Sequence, residues 1–138
     1  DVCSSDLIAD KIFKDIGSLF FQGDELVSKR RARGIYHELF FNDEPCGYAI
    51  AINNADQIKK VSHLLADTGH IFFDEFQSET NHYCPNEIQK LLSIHTSIAR
   101  GQGQQTRYVP VVMCGELIDE AALRRLHYYG VDACDVMA

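Results

Sequence analysis

Two acidic residues stand side by side after an apolar run: Ile71-Phe72-Phe73 leads straight into Asp74-Glu75. An aspartate at the end of a strand can hold Mg2+, directly or through water, while the metal bridges the phosphates of ATP. A glutamate next to it can polarise an attacking water as general base. Successive side chains leave opposite faces of an extended chain, so the two neighbours can take different tasks. In open α/β sheets, ligands bind outside the carboxyl ends of the strands, where this pair would stand. The competing reading is structural: the pair caps a helix or solvates a loop.

The pattern is the Walker B half of a nucleotide site. Its usual complement is a P-loop, G-x-x-x-x-G-K-[ST], whose amides and lysine hold the phosphates. No glycine among the 138 residues opens that spacing. The opening "DVCSSDL" has neither helical nor strand period and matches the translated end of a sequencing-library adapter. We therefore expect residues 1–7 to be a cloning or assembly scar, and the P-loop to be encoded before Ile8. The chain is then expected to be a fragment, with Mg2+ and ATP as cofactors of the complete protein.

The elements that would carry the pair can be read from periodicity. Ile8, Ile12, Phe13, Ile16, Leu19 and Phe20 recur at helical steps, which predicts an amphipathic helix ended by Gly23. "ELVSKRR" and "GIYHELFFNDEPCGYAIAI" predict a β-meander from about Glu25 to Ile52, with a turn at Asn42-Asp43-Glu44-Pro45. Asn53 or Asn54 can cap a short helix whose buried side carries Ile58 and Val61 or Ser62. "HIFFDEF" reads as a strand covered on both faces. Pro85 and Glu87 suit a helix start. Ile88, Leu91, Leu92, His95 and Ile98 give that helix a buried stripe, and Gly101 ends it. "YVPVVMC" is a second buried strand, with Pro110 as its irregularity. Strand, helix, strand from residue 70 onward is a βαβ unit and implies a parallel sheet.

Composition sets the outer limits. The chain is 46% hydrophobic and 24% charged, a globular composition of one domain's size. No apolar run approaches the ~20 residues of a membrane span, so no membrane partner is expected. A net charge of −7 argues against a general polyanion binder without excluding a local basic path for DNA. Five cysteines at irregular spacing form no disulfide framework. His82 and Cys84 have no second ligand pair near them in sequence, so no zinc site is expected.

The stretch "IFFDEF…YCPNEIQKLLSIHTSIAR" resembles the DNA-packaging ATPases of tailed bacteriophages, the large-terminase class, and among them the DNA encapsidation proteins of small podoviruses. Asp74-Glu75-Phe76, Tyr83-Cys84-Pro85-Asn86-Glu87, Leu91-Leu92 and Arg100 stand where that family has its Asp-Glu-Phe strand end, its Tyr-x-Pro-Asn-Glu loop and a helix ending in arginine. The resemblance runs from Ile8 to Gly115 and concentrates in Ile71 to Arg100. It implies an α/β fold, a partial P-loop NTPase domain of the ASCE type, with a parallel sheet core and the antiparallel meander as an insertion. It implies Asp74 as the Mg2+-associated residue, Glu75 as catalytic base, and Arg100 reaching a neighbouring subunit's site, with Arg107 as second candidate. The implied partners are double-stranded DNA, identical subunits in a ring and the portal of a procapsid, in the host cell cytoplasm. The family places a small residue and Asn after the "VVM" strand, but here Cys114-Gly115 precedes Glu116, which lacks the amide donor. The nuclease domain usual in that family is not expected within these 138 residues. Residues 8–115 are thus expected to be the partial ATPase domain, and residues 116–138 a helical tail of uncertain origin. In that tail Leu117, Ile118, Ala121, Ala122 and Leu126 share a face and Gly130 is the stop. A helicase-like or AAA-type motor is the rival enzyme. A non-catalytic α+β interaction module is the rival outside enzymes.

Several residues have plainer readings. Phe72 and Phe73 are core in either account. Glu87 stabilises a helix start or fixes the loop above the site. Arg100 suits a helix C-terminus by dipole alone. "SKRRARG" (28–34) is a solvated strand end or a contact to DNA phosphates, and Lys59-Lys60 reads the same way. His63, His70 and His95 are packing or surface histidines. Cys84 and Cys114 are small buried hydrophobes.

Overall fold

The computed structural model describes residues 15, 17–74, 83–100, 105–114 and 120–129. The meander is present: β1 (Leu26–Arg31), β2 (Tyr36–Phe41) and β3 (Glu44–Ala49) form a three-stranded antiparallel sheet in the order β1-β2-β3. Leu26 pairs with Phe41 and Arg31 with Tyr36, while the β2–β3 register shifts between Leu39 and Phe40. Pro45 is tolerated because β3 is an edge strand with no ladder donor needed there.

The two hairpin turns are built differently. Asn42 and Asp43 take φ of 47° and 66°, the left-handed pair that a tight hairpin requires. Asn42 also fastens the turn: its Oδ1 accepts from the Glu25 amide (2.8 Å) and its Nδ2 donates to Asp24 Oδ1 (2.8 Å). The β1–β2 turn instead puts Ala32, Arg33 and Gly34 at φ of 49°, 58° and 91°. Only Gly34 takes this freely, and the alanine and arginine each cost about 1 kcal/mol there.

One core lies behind the meander. Tyr36 of β2, Ala55 and Ile58 of α1 (Ala55–Val61), Leu65 of the 3-10 turn Ser62–Leu65, and Ile94 and Ile98 of α2 (Glu87–Arg100) pack together. Ile58 and Leu65 are fully buried, each stabilising by roughly 2 kcal/mol relative to exposure. Asn54 precedes α1 without capping it, because its Nδ2 is drawn to the Ile35 carbonyl at 3.0 Å. That bond ties the meander to the helix. Tyr48 does the same from β3, donating to Asp67 Oδ1 at 2.9 Å.

β4 (Ile71–Phe73) and β5 (Val111–Met113) form a two-stranded parallel sheet, with Phe72 opposite Val112, and α2 is their crossover. The molecule is therefore mixed α/β, an antiparallel three-stranded sheet beside a parallel pair. The expectation that β4 is covered on both faces is corrected. Phe72 is 72% exposed, because only the Ile71 side turns toward the core. β5 starts after Pro110, which has no N–H for the ladder but accepts from Ile71 through its carbonyl at 2.9 Å. Along α2 the buried residues are Leu91, Ile94, Ile98 and Ala99. Leu92, expected in the stripe, is 53% exposed.

Two further helical segments complete the description. Residues 17–20 are helical, but Leu19 and Phe20 face outward at 70% and 76% exposure. The segment meets the meander elsewhere, through Phe21 edge-on to Phe41 at 5.9 Å. The apolar positions Ile8, Ile12, Phe13 and Ile16 lie outside the described residues. α3 (Glu120–Tyr128) falls where a terminal helix was expected. Among the described residues, no helix is long and apolar enough to cross a membrane.

Candidate functional site

β4 ends at Phe73, and Asp74 follows it as an exposed residue at the carboxyl end of the parallel pair. The ladder continues one step beyond the strands: the Cys114 amide donates to the Phe73 carbonyl at 2.9 Å. This fixes the backbone from which Asp74 departs. Glu75, the second member of the pair, lies outside the described residues, as do Phe76 and His82.

The chain re-enters the same end at Tyr83. Here Glu87, the first residue of α2, accepts from three groups. Its Oε2 accepts from the Cys84 amide at 3.3 Å, which satisfies a donor at the helix start. Its Oε1 accepts from Arg125 Nη2 and from the Tyr129 hydroxyl, both at 2.7 Å. The Arg125 guanidinium also lies over the Tyr83 ring, 3.5 Å from its centroid. The Glu87 and Arg125 side chains are 10% and 18% exposed, so the pair is largely withdrawn from water. Tyr129 closes the cluster against β4, with its ring centroid 6.0 Å from that of Phe73. Burial, then the hydrogen bond to Glu87 and that residue's charge, push the Tyr129 phenol well above its ordinary range; Arg125 opposes the shift. Glu87 is thus a helix-start acceptor that also joins Cys84 to α3.

The residues just before α2 are tied down on their other side. The buried Cys84 thiol donates to Asn53 Oδ1 at 2.8 Å, and Lys90 Nζ donates to the same oxygen at 2.9 Å. Cys84 is therefore buried as expected, yet polar in its contacts. Cys114 is exposed rather than buried, and so are Val111 and Val112 of β5, which was expected to be a buried strand.

Arg100 and Arg107 lie at the other end of the unit. α2 has 14 residues and spans about 21 Å. Its last turn meets the entry to β4: Arg107 donates to the Thr68 carbonyl and to the Ile98 carbonyl, each at 3.2 Å. Arg107 is committed to closing α2 against the segment before β4. Arg100, exposed at the end of α2, does not join Asp74 within one chain.

Among the described residues, Arg125 stands as a cation at the carboxyl end, and it was not singled out from sequence. Arg125 and Tyr129 are four apart on one helix face, and that spacing was the available signal. Among the described residues, no group of three His, Cys, Asp or Glu side chains could hold a metal ion. Mg2+ in nucleotide sites is held by one or two carboxylates plus substrate phosphates, so a single strand-end aspartate fits that donor set. In comparisons with protein-family models, curated proteins and solved structures, nothing matches the chain.

Proposed function

We propose that residues 71–100 are the Walker B half of an ATP site in a motor that moves double-stranded DNA into a viral procapsid. The observation that carries the reading is the parallel β4–β5 pair joined by α2, with Asp74 directly outside the carboxyl end of β4. This is the position at which α/β sheets take their ligands. Asp74 would hold Mg2+, which neutralises charge on the transferring phosphate. Glu75 accepts the proton of the attacking water. Arg100, about one helix length from its own Asp74, serves a neighbouring subunit's site instead. That assignment makes a ring of identical subunits part of the proposal, with the portal and the DNA as further partners. The partial P-loop NTPase fold belongs to the same proposal.

The coding sequence on either side of this stretch, read from source DNA, tests the reading cheaply. A G-x-x-x-x-G-K-[ST] following a strand pattern, within about a hundred residues before Ile8, is the expected result. An in-frame stop just before Ile8, with a native start there, removes the P-loop and with it the catalytic reading. Asp74 would then be the end of a strand in a binding module.

A further inference from the structure

We infer that the tip of the β1–β2 hairpin is the surface that meets the phosphates of double-stranded DNA, with Arg30 and Arg33 as the contacting side chains and Lys29 beside them. The choice of DNA rests on the motor reading; the anion-binding surface does not.

The meander is electrically polarised. Lys29, Arg30, Arg31 and Arg33 fall within five positions with no acid among them, in a chain of net charge −7. The opposite end of the same sheet carries Asp24, Glu25, Asp43 and Glu44 around the Asn42 turn. Six-residue strands put the two ends about 20 Å apart, beyond a Debye length at physiological salt. The acidic end therefore does little to cancel the basic one in solution.

Within the tip and among the described residues, Arg31 alone has an ion pair, to Glu38 at 2.7 Å. Arg30 and Arg33 are exposed, and neither has an ion pair among the described residues. The Arg30 guanidinium lies across Gly34, where a Cβ would come within 2.3 Å of it. Lys29 is exposed, with its ammonium over the Phe40 ring at 4.3 Å. The base of the tip is anchored by buried Tyr36 and by Asn54 on the Ile35 carbonyl. A preorganised tip loses less freedom on binding than a loose basic tail would. A two-stranded ribbon also has the width to enter a major groove, and guanidinium groups bind phosphate bidentately.

Charge on an edge strand commonly serves to block strand addition. That role asks for charge along the open edge. Here it is gathered into the end of β1 and the turn, where Arg33 also holds a left-handed backbone that asparagine or glycine would adopt more easily.

The test is anisotropy of a labelled DNA duplex titrated with the full 138-residue chain, without nucleotide, across a salt series. Three phosphate contacts predict a log–log salt slope of about −2.7, or roughly a 40-fold loss between about 50 and 200 mM salt. Arg30→Gln with Arg33→Gln should flatten the slope by about 2, while Lys60→Gln on α1 leaves it unchanged. Unaltered circular dichroism of each variant keeps the comparison interpretable. The inference fails if no duplex binding is seen at low salt. It fails equally if Lys60→Gln matters as much as the tip. It also fails if the tip variants abolish only a salt-sensitive self-association, which would assign the tip to the acidic end of a second copy. ATP hydrolysis plays no part in this assay, so its failure leaves the Walker B reading standing, and the reverse holds.

Discussion

Two tyrosines close two parts of this molecule by the same bond. Tyr48 donates to Asp67 Oδ1 at 2.9 Å and joins β3 to the turn after α1. Tyr129 donates to Glu87 Oε1 at 2.7 Å and joins the end of α3 to the start of α2. Both phenols are held above their ordinary value, chiefly by burial and then by the carboxylate each serves. The carboxylates differ. Asp67 is exposed and water solvates it, so no counter-charge is needed. Glu87 is largely buried and requires the Arg125 guanidinium, which the Tyr83 ring supports from the other side. The first clasp fastens two neighbouring elements of the core. The second gathers three stretches of chain at the carboxyl end of β4, and its stability depends on a cation from α3. The part of the chain expected to be an uncertain tail is the part that completes this cluster.

Removing the buried carboxylate should separate the two clasps most clearly. Glu87→Ala leaves Arg125 withdrawn from water without its partner, which costs about 3 kcal/mol in comparable buried pairs. Urea denaturation measures the loss, and proteolysis between residues 114 and 120 should accelerate with it. Glu87→Leu combined with Arg125→Met should recover most of the stability, since an apolar pair carries no desolvation penalty. If Glu87→Ala costs no more than ~0.5 kcal/mol, the level of an exposed pair, the cluster does not hold α3.

A smaller difference is expected between the hydroxyls. Tyr129→Phe should cost about 2 kcal/mol, as for hydrogen bonds to buried charges, and Tyr48→Phe about 1 kcal/mol. Equal values by thermal denaturation would mean that the counter-charged environment of Glu87 adds nothing. Arg107→Ala removes two bonds to carbonyls at an exposed position and should cost about 1 kcal/mol. Its effect should fall on α2 and leave the Arg125 cluster intact, which amide exchange can localise.

The gentlest probe is alkaline pH. Tyr48 is raised from 10.0 to about 12. Below pH 10 both folded and unfolded chains hold that proton, so the clasp contributes fully. Between pH 10 and about 12 the unfolded chain has released it and the folded chain has not, so stability falls as pH rises. Tyr48→Phe should shed that part of the alkaline loss, visible as a shallower decline in melting temperature. An unchanged decline would show that other groups govern it.

The antiparallel sheet was legible because Asn42-Asp43 is a turn pair by chemistry, set between two runs that read as strands. The helix from Glu87 was legible as a helix but not in its rotation. Leu91, Leu92, Ile94, His95 and Ile98 cover too much of its surface for spacing alone to choose a buried side, and packing against α1 and the 3-10 turn chose Ile94 over Leu92. The exposure of Phe72 was hidden because an apolar run reads the same whether one or both faces are covered. Asp74 was legible as a strand end, since the run stops at a charge. Arg125 was not: its partner Glu87 is 38 residues away in sequence, and no local pattern links them. The strained Arg33 was invisible for a related reason, because "RARG" reads as charge and only the backbone angles separate it from an ordinary hairpin.

The central claim is that Asp74 and Glu75 serve an ATP site, and hydrolysis by the product of the intact gene tests it most directly. Steady-state phosphate release should require Mg2+ and be stimulated by double-stranded DNA. Glu75→Gln should reduce it by at least about a hundredfold, the scale of a lost general base, while ATP binding and the circular dichroism spectrum stay unchanged. Hydrolysis that survives Glu75→Gln at the unaltered rate, or no hydrolysis by the intact product under any of these conditions, would contradict the account.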